Sequence, residues 1–259
     1  MTENVPICVF DVSDAMEFRN LIRSLGNVLF KPEIQIDSTG LRIFQMDSTH
    51  VSMLDLTWKP EGYSFLREQA TELWIRLPCD WLLKLLRVAK RKQRITISIF
   101  HNEKKVDTMR LRFHGKVRRQ ITFALELSER PEETRKPKIQ MMAEVDVQAT
   151  DILEILRSPT YDEYVTITAT PTQIALTGKI EYAEEEAVIE SPPKFLNENI
   201  QETKVSFSQG FLAAYCQLLS YVSPTIKMSL GTNLPIKIEA HNDQMNATTW
   251  IAPRIPDTT

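Results

Sequence analysis

The chain has 259 residues, 42% of them hydrophobic and 25% charged, with a net charge of −3. That is enough for one large domain or two of about 130 residues, with the composition of an ordinary globular protein. No stretch approaches the roughly 20 apolar residues that span a bilayer, and the opening MTENVPICVFDV has neither the basic start nor the apolar run of a secretory signal. Cys8, Cys79 and Cys216 are odd in number and far apart. They fit neither a disulfide framework nor a zinc site, and they favour a reduced intracellular compartment. The four histidines share no ligand spacing, and HExxH, the Walker P-loop and GxGxxG are absent. No metal or cofactor is therefore expected.

The first helix is expected at SDAMEFRNLIRSLGNV, capped by Ser13 or Asp14, with Gly26 just past its end. Phe18, Leu21, Ile22 and Leu25 keep the spacing of one buried face, while Arg19 and Arg23 share another. Alternating segments follow at EIQIDSTGLRIFQMD, HVSMLDLTW and ELWIRLP. A second helix is expected at CDWLLKLLRVAKR, with Asp80 as cap and Trp81, Leu82, Leu85, Leu86 and Ala89 inward. Strands resume at RITISIF, TMRLRFH and RQITFALEL. The proline-broken, charged stretch SERPEETRKPK, residues 128–138, reads as a linker.

Beyond it the order repeats. IQMMAEVDV leads to a helix at ATDILEILRS, strands follow at EYVTITAT, QIALTGKIEY, AVIES and KVSFS, then a helix at GFLAAYCQLLSYV and strands at IKMSLG, PIKIEAH and ATTWIAP. The expected fold class is α+β: two similar domains, 1–127 and 139–259, each with antiparallel sheets and two helices, joined by the linker 128–138.

Three features bear on function. Asp47, Ser48, Thr49 and His50 put a carboxylate, two hydroxyls and an imidazole side by side. Neighbours in a turn point in different directions, so a strand-joining turn is favoured over a catalytic triad. Lys84, Arg87, Lys90, Arg91, Lys92 and Arg94 fall in eleven residues without an acid. At 100° per residue Lys84, Arg87 and Arg91 form one stripe, opposite Trp81 and Leu85, suited to phosphates. The run AEEEA reads as a solvated strand or loop. The closing NATTWIAPRIPDTT is apolar and rigid for a chain end. It is either a docked last strand or one wall of a partner pocket.

The stretches GLRIFQMDSTHVSMLDL and LPIKIE and the ending WIAPRIPD are similar to stretches of proliferating cell nuclear antigen, the DNA sliding clamp. Together with the basic helix, the mid-chain linker and the duplicated halves, the resemblance covers essentially the whole chain. It implies a non-enzymatic ring of three head-to-tail subunits around duplex DNA, with helices lining the hole. Such a ring is opened by an ATP-driven clamp loader and tethers DNA polymerase and other proteins through a short glutamine-aromatic motif. It implies a homotrimer, no membrane and no cofactor. It places the protein in a nucleus or viral replication site in a eukaryotic or viral setting, and in the cytoplasm in an archaeal one.

Carried residue by residue, the resemblance assigns DNA contact to Arg19, Arg23, Lys84, Arg87, Lys90, Arg91 and Lys92, and to Arg157 on the third helix. Gln217 stands where a lysine is usual and Glu154 is acidic, so the second domain is expected to hold DNA less strongly. The partner pocket would comprise Met46, His50, Val51, Pro235, Trp250, Ala252 and Pro253. The chain departs from the family where two linker aliphatics usually stand, near Thr134 and Lys136, and at Pro171, where eukaryotic relatives carry a ubiquitin-bearing lysine. Two alternatives remain: a subunit of a heterotrimeric clamp, and a DNA-processing hydrolase using Asp47 and His50.

Overall fold

The computed structural model describes residues 5–65, 72–100, 107–128 and 135–254. These fall into two compact units, one drawn from Met1–Gln45, Asp55–Thr134 and Asp243–Met245, the other from Met46–Leu54, Arg135–Asn242 and Asn246–Thr259. Of the stretch 128–138, residues 129–134 lie outside the described residues.

The first unit is built from β1 (Cys8–Val12), α1 (Ala15–Val28), β2 (Glu33–Asp37), β3 (Gly40–Met46), β4 (Ser52–Trp58), β5 (Glu61–Phe65), β6 (Glu72–Arg76), α2 (Cys79–Leu85), β7 (Ile95–Phe100), β8 (Thr108–Phe113), β9 (Arg119–Ala124) and β10 (Glu126–Leu127). One sheet runs β5-β1-β7-β8-β9 and the other includes β10-β6-β2-β3-β4. The second unit repeats the plan with β11 (Ala143–Gln148), α3 (Ala149–Ile155), β12 (Tyr164–Ala169), β13 (Ile174–Ile180), β14 (Ala183–Ile189), β15 (Lys194–Phe195), β16 (Thr203–Ser208), α4 (Gln209–Leu219), β17 (Thr225–Leu230), β18 (Ile236–His241) and β19 (Met245–Ile251). Its sheets are ordered β15-β11-β17-β18-β19 and β14-β13-β12-β16. Apart from β10, which has no counterpart among the described residues of the second unit, these are the orders of the first unit, so the repeat expected from element order is a repeat of topology.

The reason for each element lies in its alternation. In β7, Ile95, Ile97 and Ile99 point inward at 0–1% exposure while Thr96 and Ser98 look outward. Helix α1 buries Phe18, Leu21, Ile22 and Leu25, as its spacing requires, each worth about 2 kcal/mol. Its N-cap is Asp14, whose Oδ1 accepts from the N–H groups of Met16 at 2.8 Å and Glu17 at 3.2 Å. In the second unit, Tyr161 is fully buried and donates to the Leu176 carbonyl at 2.9 Å.

Four local expectations change. Gly26 lies inside α1, not beyond it. A Cβ there would stand 3.2 Å from Cys79 Cβ, so this glycine lets α1 and α2 approach. The N-cap of α2 is Pro78, and Asp80 sits in the first turn. There its charge suits the helix dipole. Helix α2 stops at Leu85, a short 3-10 turn occupies Leu86–Val88, and Ala89 is extended. Trp81, expected inward, is 63% exposed, because α2 is too short to need more than Leu82 and Cys79 as buried anchors. No described helix is long and apolar enough to cross a membrane.

Candidate nucleic-acid and partner interfaces

The basic cluster does not form one helical stripe. Lys84 lies on α2, with Nζ 4.4 Å from the centre of the exposed Trp81 ring. Arg87 follows in the 3-10 turn. Lys90, Arg91 and Lys92 leave the helix altogether, because hydrogen bonds to Asp14 and Gln93 draw the chain aside. Asp14 Oδ2 accepts from the Lys92 N–H at 2.7 Å, with Lys92 in the left-handed region at φ 56°. Gln93 Oε1 accepts from the Lys90 N–H at 3.1 Å, and the Gln93 carbonyl accepts from the Ala15 N–H at 2.8 Å. Burial would raise the Asp14 carboxyl, but the donated backbone hydrogens of Lys92, Glu17 and Met16 hold it below its ordinary value. One carboxylate therefore caps α1 and anchors the basic turn.

The same turn is tied to the β8–β9 hairpin. Gln93 Nε2 donates to the His114 carbonyl at 2.9 Å, and His114 Nε2 lies 2.8 Å from Thr96 Oγ1. Between turn and hairpin lies a groove of about 700 Å³ bearing Arg87, Lys90, Arg91, Lys92, Lys116 and Arg119, with no carboxylate among its lining residues. Lys116 and Arg119 were not singled out from the sequence. They belong to a run, Lys116, Arg118 and Arg119, of which only Arg119 lies in an expected strand, RQITFALEL, and the other two fall between strands.

The other cations are placed as follows. Arg19 on α1 is half-buried, with Nη1 4.0 Å from Met16 Sδ, whereas Arg23 is exposed and donates to Asn20 Oδ1 at 3.2 Å. In the second unit, Arg157 is exposed just beyond α3. Gln217 on α4 bonds locally to Ser220 Oγ at 3.4 Å. Near α3 the charge is reversed. A concavity of about 560 Å³ is lined by Asp151, Glu154, Glu185 and Glu190, with no cation among its lining residues. The hydroxyls of Ser158 and Thr160 donate to Glu185, and these bonds hold its carboxyl below the ordinary range.

The DSTH stretch is a turn. Asp47 is 5% exposed, and its carboxylate accepts from the Thr49 N–H at 2.8 Å, the Thr49 hydroxyl, the Ser52 N–H and the Ser52 hydroxyl. Burial would raise this carboxyl, but these donors lower it below its ordinary value. His50 meets Asp47 through its own backbone N–H, at 3.0 Å from the Asp47 carbonyl, and takes φ 59°. The carboxylate is committed to the turn rather than to the imidazole, so the geometry assembles no triad. Ser52 Oγ continues to Tyr215 OH at 2.9 Å, fixing the turn to α4.

The second unit also gathers the expected partner residues. The Ala252 N–H donates to the Val51 carbonyl at 2.8 Å, and Thr249 Oγ1 donates to the Met53 carbonyl at 2.8 Å. Ile236 pairs with Ile251, so Pro235, just before β18, falls in the register opposite Ala252, just after β19. Met46, Val51, Pro235, Ala252 and Pro253 are half-buried and His50 is exposed. Trp250 is only 7% exposed and serves as filling beneath this surface. Arg254 closes the described chain, with its guanidinium 4.5 Å from the Tyr164 ring centre and Nη1 3.6 Å from Glu163. The remaining tail, from Ile255, and Thr134 lie outside the described residues.

Comparison with known proteins agrees across the chain. The family description "Proliferating cell nuclear antigen, N-terminal domain" matches residues 10–133. A DNA polymerase sliding clamp of Methanococcus vannielii is 21% identical over 252 residues, covering 93% of this chain and 97% of the relative. A sliding clamp of Methanococcus maripaludis is 19% identical over 249 residues, covering 92% and 96%. The fold is shared with proliferating cellular nuclear antigen from Entamoeba histolytica (TM-score 0.83, 16% identity, 97% of this chain and 100% of that one). It is shared too with PCNA from Thermococcus kodakaraensis (TM-score 0.79, 18% identity, 95% and 100%). With its duplicated units and these relatives matched over nearly their full lengths, the chain belongs to the PCNA family of DNA sliding clamps as a divergent member.

Proposed function

We propose that this sliding clamp closes into a ring of three identical chains around duplex DNA and acts as a processivity factor and scaffold, without catalysis of its own. The observation that carries the reading is the exposed cationic surface of the first unit, where Arg23, Lys84 and Arg87 stand on α1, α2 and the adjoining turn. Lysine and arginine in this arrangement attract phosphates without reading bases. Encirclement then needs only weak contacts, which leave sliding fast. In this reading the DNA set is Arg19, Arg23, Lys84, Arg87, Lys90, Arg91 and Lys92, with Arg157 as a weaker contribution from the second unit, and residues 128–138 connect the two domains. The surface around His50, Val51, Pro235, Ala252 and Pro253 takes the glutamine-aromatic motif of a polymerase or another tethered protein, and a clamp loader opens the ring.

A ring of one kind of chain is favoured over a mixed ring by the sheet edges. Strand β9 and strand β14 are both terminal in their sheets. The run at β9 is basic, with Lys116, Arg118 and Arg119, and that at β14 is acidic, with Glu184, Glu185 and Glu186. A chain carrying both halves of a complementary pair needs no sister subunit to close a heterologous ring. Light scattering on the purified chain, followed by a processivity assay on primed circular DNA, tests the proposal. A mass near three times 29.9 kDa together with longer extension products is expected, and a stable monomer without effect on extension contradicts it.

A further inference from the structure

We infer that Trp81 and Lys84 form a stacking platform for single-stranded DNA, so that the cationic surface of the first unit takes bases as well as phosphates. The inference rests on the reading of that surface as DNA-facing and adds to it a second, base-dependent contact. Trp81 stands 63% exposed on α2, and Lys84, three residues on, sets its Nζ 4.4 Å from the centre of the indole ring. Arg87 follows after another three residues, in the 3-10 turn, and it is exposed, as are Val88 and Lys90. Asp80 precedes Trp81 in the chain, yet the Lys84 ammonium lies over the indole.

A tryptophan left in water forgoes the burial its large ring offers. The other three tryptophans take it: Trp250 is 7% exposed, and the indole nitrogens of Trp58 and Trp74 are shielded from solvent. The ammonium over the Trp81 ring is a cation–π contact, which orients the indole and sets a phosphate partner beside it. A base stacked on the ring and a phosphate on the ammonium then belong to one nucleotide. Such stacking tolerates any sequence, because every base has a π-face. In a duplex the bases are stacked on one another and reaching their faces costs unstacking, so the occupant is a single strand. Charge favours the same occupant, since Arg23, Arg87 and Lys90 stand exposed on this unit and attract a polyanion. Helix α4 holds the corresponding place in the second unit and has no such pair. It carries no lysine or arginine, and its first aromatic, Phe211, is half-buried. The platform therefore belongs to the first unit.

The test titrates the full-length chain at low salt with oligothymidylate, with an abasic strand of the same length and with duplex DNA, reading tryptophan emission and the anisotropy of labelled DNA. Oligothymidylate is expected to quench the exposed emission of Trp81. The abasic strand, which offers phosphates without bases, should leave that emission bright. Trp81→Ala should weaken oligothymidylate binding by about tenfold, with duplex affinity changed by less than about twofold and thermal unfolding confirming that the variant is folded. Trp81→Phe should retain most of the affinity, and Lys84→Gln should weaken single strand and duplex alike. Equal binding of oligothymidylate by the wild type and Trp81→Ala overturns the platform and leaves the DNA-facing reading standing. Equal losses on single strand and duplex also overturn it, since Trp81 then only orients Lys84. A wild-type chain that binds neither strand nor duplex overturns the DNA-facing reading itself.

Discussion

The two units of this chain share a strand order and differ in charge. Around α2 the first unit exposes Lys84, Arg87, Lys90, Arg91 and Lys92, whereas around α3 the second exposes Asp151, Glu154 and Glu190. A duplicated fold can thus keep its buried alternation, which packing enforces, while its surface diverges toward opposite electrostatic roles. The core residues of β7 (Ile95, Ile97, Ile99) and of its counterpart β17 (Ile226, Met228, Leu230) are interchangeable in kind. The helix surfaces are not.

The largest test of this asymmetry reverses charge on the first unit. Lys84→Glu with Arg87→Glu should lower retention on DNA by about tenfold or more at physiological salt, with trimers intact by light scattering. Arg157→Glu in the second unit should cost only about two- to threefold in the same assay, and equal effects would erase the distinction between the units. The converse gain is smaller. Gln217→Lys should strengthen binding and steepen the salt dependence by up to about 0.9 in logarithmic slope, as measured by titration of duplex DNA.

Packing separates the units in another way. A Cβ at Gly178 would stand 2.5 Å from the Thr160 carbonyl oxygen, but at Gly26 the nearest atom is Cys79 Cβ at 3.2 Å. Gly178→Ala should therefore destabilise by about 1–3 kcal/mol. Gly26→Ala should come out near neutral, since about 0.8–1 kcal/mol of helix propensity offsets the tighter contact. Calorimetric unfolding of the two variants checks the order.

Much of the architecture was legible from the chain because it is written in short-range patterns. Phe18, Leu21, Ile22 and Leu25 announce a buried helix face, and Ile95, Ile97 and Ile99 a half-buried strand. What was hidden depends on distant partners. Nothing near Arg91 shows that Asp14, some 78 residues away, will capture Lys92 and end the helical path. Gly26 resembles a helix terminator until Cys79 is placed against it. Trp81 keeps the period of the buried face, yet it lies exposed beneath Lys84, because a seven-residue helix buries less than its pattern offers. In the DSTH turn, local chemistry sufficed, since the Asp47 carboxylate bonds the backbone of Thr49 and Ser52 at short range. The acidic groove went unread because Asp151 and Glu154 lie more than thirty residues from Glu185 and Glu190.

A last expected effect concerns acid. Asp14 and Asp47 are both held below the ordinary carboxylate value of 3.8, so the unfolded chain binds protons before the folded one does. Their contribution is full above pH 3.8 and is lost as pH falls through the lower folded-state values. Asp47→Asn should cost about 1–3 kcal/mol at neutral pH and should flatten the loss of stability below pH 4, followed by denaturant unfolding across that range.

The claim on which the rest depends is that the protein holds DNA by surrounding it. Chains loaded on a closed circular duplex, and then challenged by cutting that circle once, report on this directly. Encirclement predicts long retention on the circle and rapid loss from the cut ends. Equal retention before and after the cut would show that the cationic face of the first unit grips DNA from one side.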